Sequence, residues 1–465
     1  MIIMKFGGTS NRDAAAMSNV LRIIKNHIHE RPVVVISAIA SATNELEESA
    51  RTAAAGNEPG ACAVIDRMYD RHLAILKSLV HDERRSAALA SAFASYRGEL
   101  ARLVQGVSIL RELTPRTMDA FCSYGERFSS RLVAAGLQEQ GVDAAWVDAS
   151  EFMVTDGNFG RAIPVMESVR ANLERVVVPI VERSQVPVTQ GFIGVTAGGA
   201  YTTMGRESSD YSASIIGAAL DADRVQIWTD VDGLLTADPR KVSDVKKVRR
   251  MSFEEAFELS YFGAKVLHPR TMLPLLEKNI PVEIRNSRRE EGTGTVVLRG
   301  DAIPAGSPSV KSIAFSPDIT VICITPVRRT NQYHFWEGVF GVLAGSGIDV
   351  RSVTTSEFRI AFTVTGPFDS DGLVLGLREF GDVLVIPEQA SLCMVGSGLR
   401  EFPELAGRVF HALGGIGTSL IAYGASGYSM TLVVHRAHLA RALDSLHAEF
   451  FGPSVPSGEF DVPLT

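Results

Sequence analysis

The first forty residues alternate short apolar blocks with an amphipathic stretch. Residues 2–6 are an apolar run broken only by Lys5, residues 12–29 repeat apolar positions at helical spacing, and residues 33–36 are β-branched. Strand, glycine turn, helix and strand in that order is the grammar of an α/β protein. Residues 45–112 read differently. Ala, Leu, Arg and Glu recur there with a helical period and Pro59 is the single proline, which predicts a helical excursion from the sheet. Alternation then resumes, with strands predicted at 146–148, 186–195, 224–229 and 281–285 and helices at 125–140, 209–220 and 252–262.

Residues 299–312, RGDAIPAGSPSVKS, cluster Gly, Pro and Ser without periodicity and read as a linker. Beyond it lies an internal repeat. VFGVLAGSGIDVRSVTTSEFRIAFTV, from Val339, resembles VFHALGGIGTSLIAYGASGYSMTLVV, from Val409. Each copy predicts strand, helix, strand, strand, helix, strand, opened by residues 319–325 and 391–395, which is the ferredoxin-like βαββαβ order. The expected plan is a catalytic-sized α/β domain at 1–300, a linker at 301–312, and regulatory units at 313–388 and 389–465 that are free to exchange strands. Such units leave sheet edges that a second chain can cover, so a homodimer or dimer of dimers is expected through them.

Composition narrows the function. With 465 residues, 46% hydrophobic and 21% charged, the chain is folded and large enough for several domains. Its 46 Lys and Arg against 53 Asp and Glu argue against nucleic acid as the main partner. No apolar run approaches the ~18 residues of a membrane span, and MIIMKFGGTS breaks at glycines before a secretory core forms. A cytoplasmic protein with no membrane partner is expected. Cys62, Cys122, Cys323 and Cys393 form no CxxC pair and suggest neither a disulfide framework nor a zinc site.

Three clusters carry candidate chemistry. Lys5, Gly7, Gly8, Thr9 and Ser10 lie between a strand and a helix, where glycine amides, a helix start and a full positive charge suit a phosphate; a plain tight turn fits the same residues. Arg206, Ser209 and Asp210 gather at a helix start, where an arginine can clamp a carboxylate, although an N-cap and a surface ion pair explain them equally. Thr229 and Asp230, with Arg240 in DPR and Lys265 in FGAKVLHP, suit a nucleotide over the carboxyl ends of the strands, or ordinary turns.

In order along the chain, KFGGTS (5–10), SAIASATNEL (37–46), SYGERFSSRL (123–132), TMGRESSDYSA (203–213), WTDVDG (228–233), DPR (238–240) and FGAKVLHP (262–269) resemble the aspartate kinase family, and the C-terminal repeat is similar to its paired ACT units. The layout resembles the monofunctional, lysine-sensitive branch. The resemblance implies an amino-acid-kinase-type open sheet between helices. It also implies transfer of the γ-phosphoryl of ATP to the β-carboxylate of L-aspartate, giving 4-phospho-L-aspartate for lysine, threonine and methionine synthesis.

By position in the motifs, Lys5 and Asp210 would be catalytic. Ser37, Thr43, Glu126, Arg206 and Ser209 would bind aspartate. Lys5, Gly7, Gly8, Thr9, Ser10, Thr229, Asp230, Arg240 and Lys265 would hold ATP, with Mg2+ carried on the phosphates rather than by protein ligands. The resemblance further places an effector near Phe335, Trp336, Asp349, Val350, Arg351, Ser356 and Glu357. Two departures stand out: Glu207 and Ser208 replace a glycine pair, and Arg351 replaces an acidic residue, which opposes a bound lysine ammonium. A kinase of the same fold for another amino-acid carboxylate, an aspartate kinase of one dedicated pathway, and a non-catalytic amino-acid sensor are the alternatives. The sensor reading is opposed by the presence of Lys5, Arg206 and Asp210.

Overall fold

The structure, a computed structural model, describes residues 1–205, 208–263, 269–303, 309–327, 331–356, 358–366, 370–452 and 460. Strand β1 (Ile2–Phe6), helix α1 (Ala14–Asn26) and β2 (Pro32–Ile36) form the predicted first crossover. The excursion is helical throughout: α2 (Ala42–Ala54), α3 (Glu58–Leu79), α4 (Glu83–Leu110) and α5 (Pro115–Cys122) follow, and α6 (Tyr124–Glu139) returns to the sheet at β3 (Ala144–Trp146). Next come β4 (Val154–Thr155), α7 (Met166–Val176), α8 (Val178–Glu182), β5 (Val186–Gln190), β6 (Ile193–Thr196), β7 (Tyr201–Thr203), α9 (Ser209–Ala219) and β8 (Arg224–Thr229). After β9 (Arg250–Ser252) and α10 (Phe253–Tyr261), the elements α11 (Pro269–Lys278), β10 (Val282–Asn286) and β11 (Thr295–Leu298) close this part of the chain.

The chain divides into two compact units, Met1–Leu234 with Leu267–Arg299, and Leu235–Val266 with Gly300–Thr465. In the first unit the main sheet runs β3-β5-β2-β1-β8-β10-β11. All its neighbours pair in parallel except β10 and β11. Strands β1 and β2 are buried at every position, as a parallel sheet covered on both faces requires. The helical excursion is continuous with this core: Leu46, Met68, Phe93 and Phe128 share one cluster with Met4, Phe6, Val34 and Ile36.

His72 on α3 lies inside that cluster, fully buried. Its Nδ1 lies 2.7 Å from the Met68 carbonyl, so Nδ1 carries the proton, and the ring packs 4.8 Å from Phe128. Burial lowers its pKa to about 4. A histidine held neutral in the fold and free to charge when unfolded contributes stability that is present above pH ~6.5 and is lost as pH falls toward the folded value, about 1.4 kcal/mol per pH unit. The urea midpoint is therefore expected to drop between pH 7 and pH 5 by less in His72→Leu than in the wild type. Equal drops would remove His72 from the account.

The second unit holds β12 (Ser309–Thr325), α12 (Gln332–Ser346), β13 (Asp349–Ser356), β14 (Arg359–Thr365), α13 (Ser370–Arg378), β15 (Asp382–Ser397), α14 (Leu405–Leu413), β16 (Thr418–Tyr423), β17 (Ser429–His435) and α15 (Leu439–Phe451); the first copy has the predicted order, whereas among the described residues no closing strand follows α15 in the second. The repeats share one sheet, ordered β13-β14-β12-β15-β17-β16. Strands are exchanged. Residues 309–316 of β12, part of them read as linker, pair with residues 391–397 at the start of the second repeat, while residues 319–325 pair with β14 in the first. Register shifts occur where Pro317 interrupts β12, since a proline cannot donate to the ladder and marks a bulge. Beyond the shift the sheet folds back until β13 and β16 touch, enclosing Ile319, Val321, Cys323, Leu420 and Val433.

Residues 235–266, assigned to the first domain by sequence, pack with this second unit. The reason is polar: the Ile313 N–H donates to the Thr236 carbonyl at 2.8 Å, Ser312 Oγ donates to the Leu235 carbonyl at 2.7 Å, and Lys311 pairs with Glu255 at 3.0 Å with both side chains buried.

Candidate active site

Parallel pairing puts the carboxyl ends of five strands on one edge. Phe6 stands opposite Ile36 and Trp228, Ile36 opposite Gln190, and Asn286 opposite Thr229. The chain leaves β1 toward β2 and leaves β8 toward β10, in opposite directions across the sheet, so the crevice of an open α/β sheet falls between β1 and β8. Lys5 is the penultimate residue of β1 and only 8% exposed. Its Nζ lies 2.5 Å from Asp210 Oδ1 in the first turn of α9. The two residues read as catalytic are therefore one partly buried ion pair.

The glycine turn works differently from the expectation. The Gly7 N–H donates to the Trp228 carbonyl at 3.1 Å, and Ser10 is buried with its Oγ 2.8 Å from Ser287 Oγ. The Gly7 N–H and the Ser10 hydroxyl thus join β1 to β8 and to the segment after β10. Gly8 opens a 3-10 turn, where the first N–H has no acceptor within the turn. A Cβ at Gly8 would lie 3.0 Å from the Ala38 carbonyl, so glycine permits the close approach of the 37–40 segment. Thr9 is exposed.

Glu126 enters from the first turn of α6 and is 3% exposed. Ser209 Oγ donates to its Oε1 at 3.4 Å, and among the described residues nothing hydrogen-bonds its Oε2. Burial raises its pKa to about 8. Ser129 on the same helix donates to the Ser37 carbonyl at 2.8 Å, and a Cβ on Gly125 would lie 3.7 Å from Thr43 Oγ1. Ser37, Thr43, Glu126 and Ser209 are thereby gathered beside Lys5 and Asp210. A buried carboxyl oxygen without a hydrogen-bond partner is what an ammonium ion would satisfy.

Two features of this side were not read from the sequence. Gly191 is needed because a Cβ there would fall 2.7 Å from the Ser209 Cβ. Phe192 adopts φ +64°, uncommon for a non-glycine residue, and donates its N–H to Ser212 Oγ at 2.8 Å. The GF dipeptide of GFIGV was the available signal. Arg206 and Lys265 lie outside the described residues.

At the carboxyl end of β8, Thr229 closes the strand and its carbonyl accepts from the Ser287 N–H at 2.8 Å. Arg288 reaches within 3.9 Å of Asp230, and Asn286 Nδ2 donates to Asp232 Oδ1 at 2.8 Å. A cleft of about 270 Å³ opens here, lined by Thr9, Ser10, Arg12, Ser287 and Arg288 among others. The 286–288 segment was not singled out by sequence reasoning. Arg240 belongs to the second unit, where it is exposed and held by Asp238 at 2.7 Å.

The effector residues separate. Phe335 is core, packed with Val339 and Leu343, with Trp336 beside it. Arg351 does not present a free charge: its Nε lies 2.9 Å from Asp349, its Nη1 donates to the Tyr261 carbonyl at the end of α10, and it sits 5.1 Å from the Tyr261 ring centre. The Tyr261 hydroxyl bonds back to the carbonyls of Val350 and Arg351 at 3.1 and 3.2 Å. Ser356 is exposed and Glu357 lies outside the described residues.

Residues 1–286 match the model of the amino acid kinase family, and residues 392–450 match an ACT domain. The lysine-sensitive aspartokinase 3 of Escherichia coli (strain K12) is 32% identical over 97% of this chain and 99% of that protein. Aspartokinase 1, chloroplastic, of Arabidopsis thaliana is 32% identical over 97% of this chain and 80% of that protein. The crystal structure of E. coli aspartokinase III in complex with aspartate and ADP superposes with a TM-score of 0.81 at 31% identity, covering 97% of this chain and 100% of that one. The chain belongs to the amino acid kinase family, in its aspartokinase branch.

Proposed function

We infer that this chain is an aspartate kinase that transfers the γ-phosphoryl group of ATP to the β-carboxylate of L-aspartate, the first step toward the aspartate-family amino acids. The observation that carries the reading is the Lys5–Asp210 ion pair at the crevice beside the buried Glu126. A β-carboxylate is ionised at neutral pH, so the reaction needs no general base. It needs alignment and charge neutralisation. Lys5 offsets charge on the phosphoryl group in transit, and Asp210 holds the ammonium group of Lys5 in place. Glu126 accepts the substrate ammonium, while Arg206 and the start of α9 take the α-carboxylate, with Ser37 and Thr43 completing the pocket.

Thr229 and Asp230, at the carboxyl end of β8, remain our assignment for the nucleotide. Mg2+ would arrive on the phosphate oxygens of ATP, the ligands that ion prefers. ADP release that depends on L-aspartate, and not on glutamate, N-acetylglutamate or carbamate, tests the reading. Equal turnover of another acid would support the competing kinase.

No helix among the described residues is long and apolar enough to cross a membrane. We place the enzyme in the cytoplasm, which four free thiols support; activity sedimenting with membranes would oppose this. We also propose a homodimer or dimer of dimers through residues 313–465, supported by exposed apolar side chains such as Phe340, Phe410 and Ile421. Sedimentation equilibrium showing a monomer at micromolar concentration would contradict it.

The repulsion expected between Arg351 and lysine loses its basis, because Asp349 and Tyr261 already engage that guanidinium. Lysine is then the leading effector, and Arg351→Ala, which releases the Asp349 carboxylate, should lower the lysine concentration for half-inhibition. Unchanged or lost sensitivity would count against this.

A further inference from the structure

Glu126 and the connection from β7 to α9 come from distant parts of the first unit, and two charged side chains on α5 and α6 tie them together. Asp119, on α5, is 2% exposed. Its Oδ2 accepts from the N–H groups of Gly160 at 2.8 Å and Thr203 at 2.9 Å, and its Oδ1 accepts from Thr203 Oγ1 at 2.7 Å. Thr203 ends β7, directly before the segment that carries Arg206 and Ser209. Arg127 follows Glu126 on α6. Its guanidinium lies 4.4, 4.9 and 5.0 Å from the ring centres of Tyr96, Tyr124 and Tyr201, with Nε 3.6 Å from Asp148. Tyr201 begins β7. Both ends of this three-residue strand are therefore held by the helical corner that presents Glu126 between them.

We propose that Asp119 and Arg127 are positioning residues that set the spacing between the ammonium acceptor Glu126 and the carboxylate-binding start of α9. The proposal rests on the assignment of Glu126 and Arg206 to the two ends of the amino acid. Neither residue touches substrate in this scheme. Each restrains the wall on which a substrate-binding group stands, and small displacements of such groups are costly. A fixed spacing also discriminates against glutamate, whose extra methylene moves the reacting carboxylate.

The test is steady-state kinetics of the full chain with Asp119→Asn, Thr203→Val, Arg127→Met and Arg127→Lys. Asp119→Asn keeps an acceptor for the two backbone N–H groups but removes the charge that strengthens those bonds, and should raise KM for aspartate about 10- to 100-fold, with KM for ATP within about twofold and a smaller preference for aspartate over glutamate. Thr203→Val removes one donor and should raise it about 3- to 10-fold. The double variant Asp119→Asn/Thr203→Val should be no worse than Asp119→Asn alone, because the two share a hydrogen bond. Arg127→Lys should recover part of the loss seen in Arg127→Met. An unchanged KM for aspartate, equal rises in both KM values, or additive effects would overturn the proposal. Should Asp119→Asn fail to fold, Thr203→Val and the Arg127 pair decide it. If Glu126→Gln also leaves KM for aspartate unchanged, the site assignment falls with the proposal; if Glu126→Gln raises it and these variants do not, the proposal alone falls.

Discussion

Lys5→Met is expected to lower kcat by about 100-fold or more while KM for aspartate stays within a few-fold. Removing a charge that acts on the transferring phosphoryl group costs a few kcal/mol of transition-state stabilisation, and each ~1.4 kcal/mol is tenfold in rate. The side chain is buried at the end of a central strand and anchored 2.5 Å from Asp210, so it is pre-positioned and pays little to reorganise. Its removal also leaves the Asp210 carboxylate without that partner. Lys5→Met/Asp210→Asn separates the two effects: if the loss came only from the stranded carboxylate, the double variant would regain activity. Near-wild-type kcat in folded Lys5→Met would show that phosphoryl transfer occurs elsewhere.

Glu126→Gln should raise KM for aspartate by about 100-fold, the scale measured when one partner of a buried charge pair is removed. The wild type should also show a pH signature that the variant lacks. Without substrate, burial holds the Glu126 carboxyl protonated up to about pH 8; an ammonium ligand needs it ionised. KM for aspartate should therefore fall as pH rises from 6.5 to 8, by up to about tenfold per unit, and flatten above. The stability sign runs the other way. A carboxyl whose folded pKa is raised contributes stability that is full below pH ~4.5 and is lost as pH rises through the folded value. Bound aspartate offsets that loss, so the thermal shift produced by aspartate should be larger at pH 8.5 than at pH 6.5. The same pH slope of KM in Glu126→Gln would assign the titration to another group.

Local pattern carried much of this architecture. The apolar run before Gly7 and the β-branched run at 33–36 are strands because no polar position interrupts a doubly covered face for long, and the repeat from Val339 and Val409 is visible as spacing. Joints made by residues far apart in sequence were not legible. Gly7 reads as a phosphate donor until β8, more than 200 positions later, places the Trp228 carbonyl opposite it. Asp119 belongs to no motif, and its contacts arise only when Gly160 and Thr203 fold onto it. Phe335 was assigned to an effector, yet it falls on the inward face of α12 with Val339 and Leu343. The pairing of residues 309–316 with the second repeat depends on which edge is left open, a property of the assembled sheet rather than of the segment.

The most direct measurement is hydroxylamine trapping with ATP, Mg2+ and L-aspartate. An acyl phosphate at the β-carboxylate is captured as the β-hydroxamate, and the account predicts that this product forms in step with ADP for the wild type and falls about 100-fold or more for Lys5→Met. ADP formation without hydroxamate, a hydroxamate at the α-carboxyl, or undiminished product from Lys5→Met would contradict it.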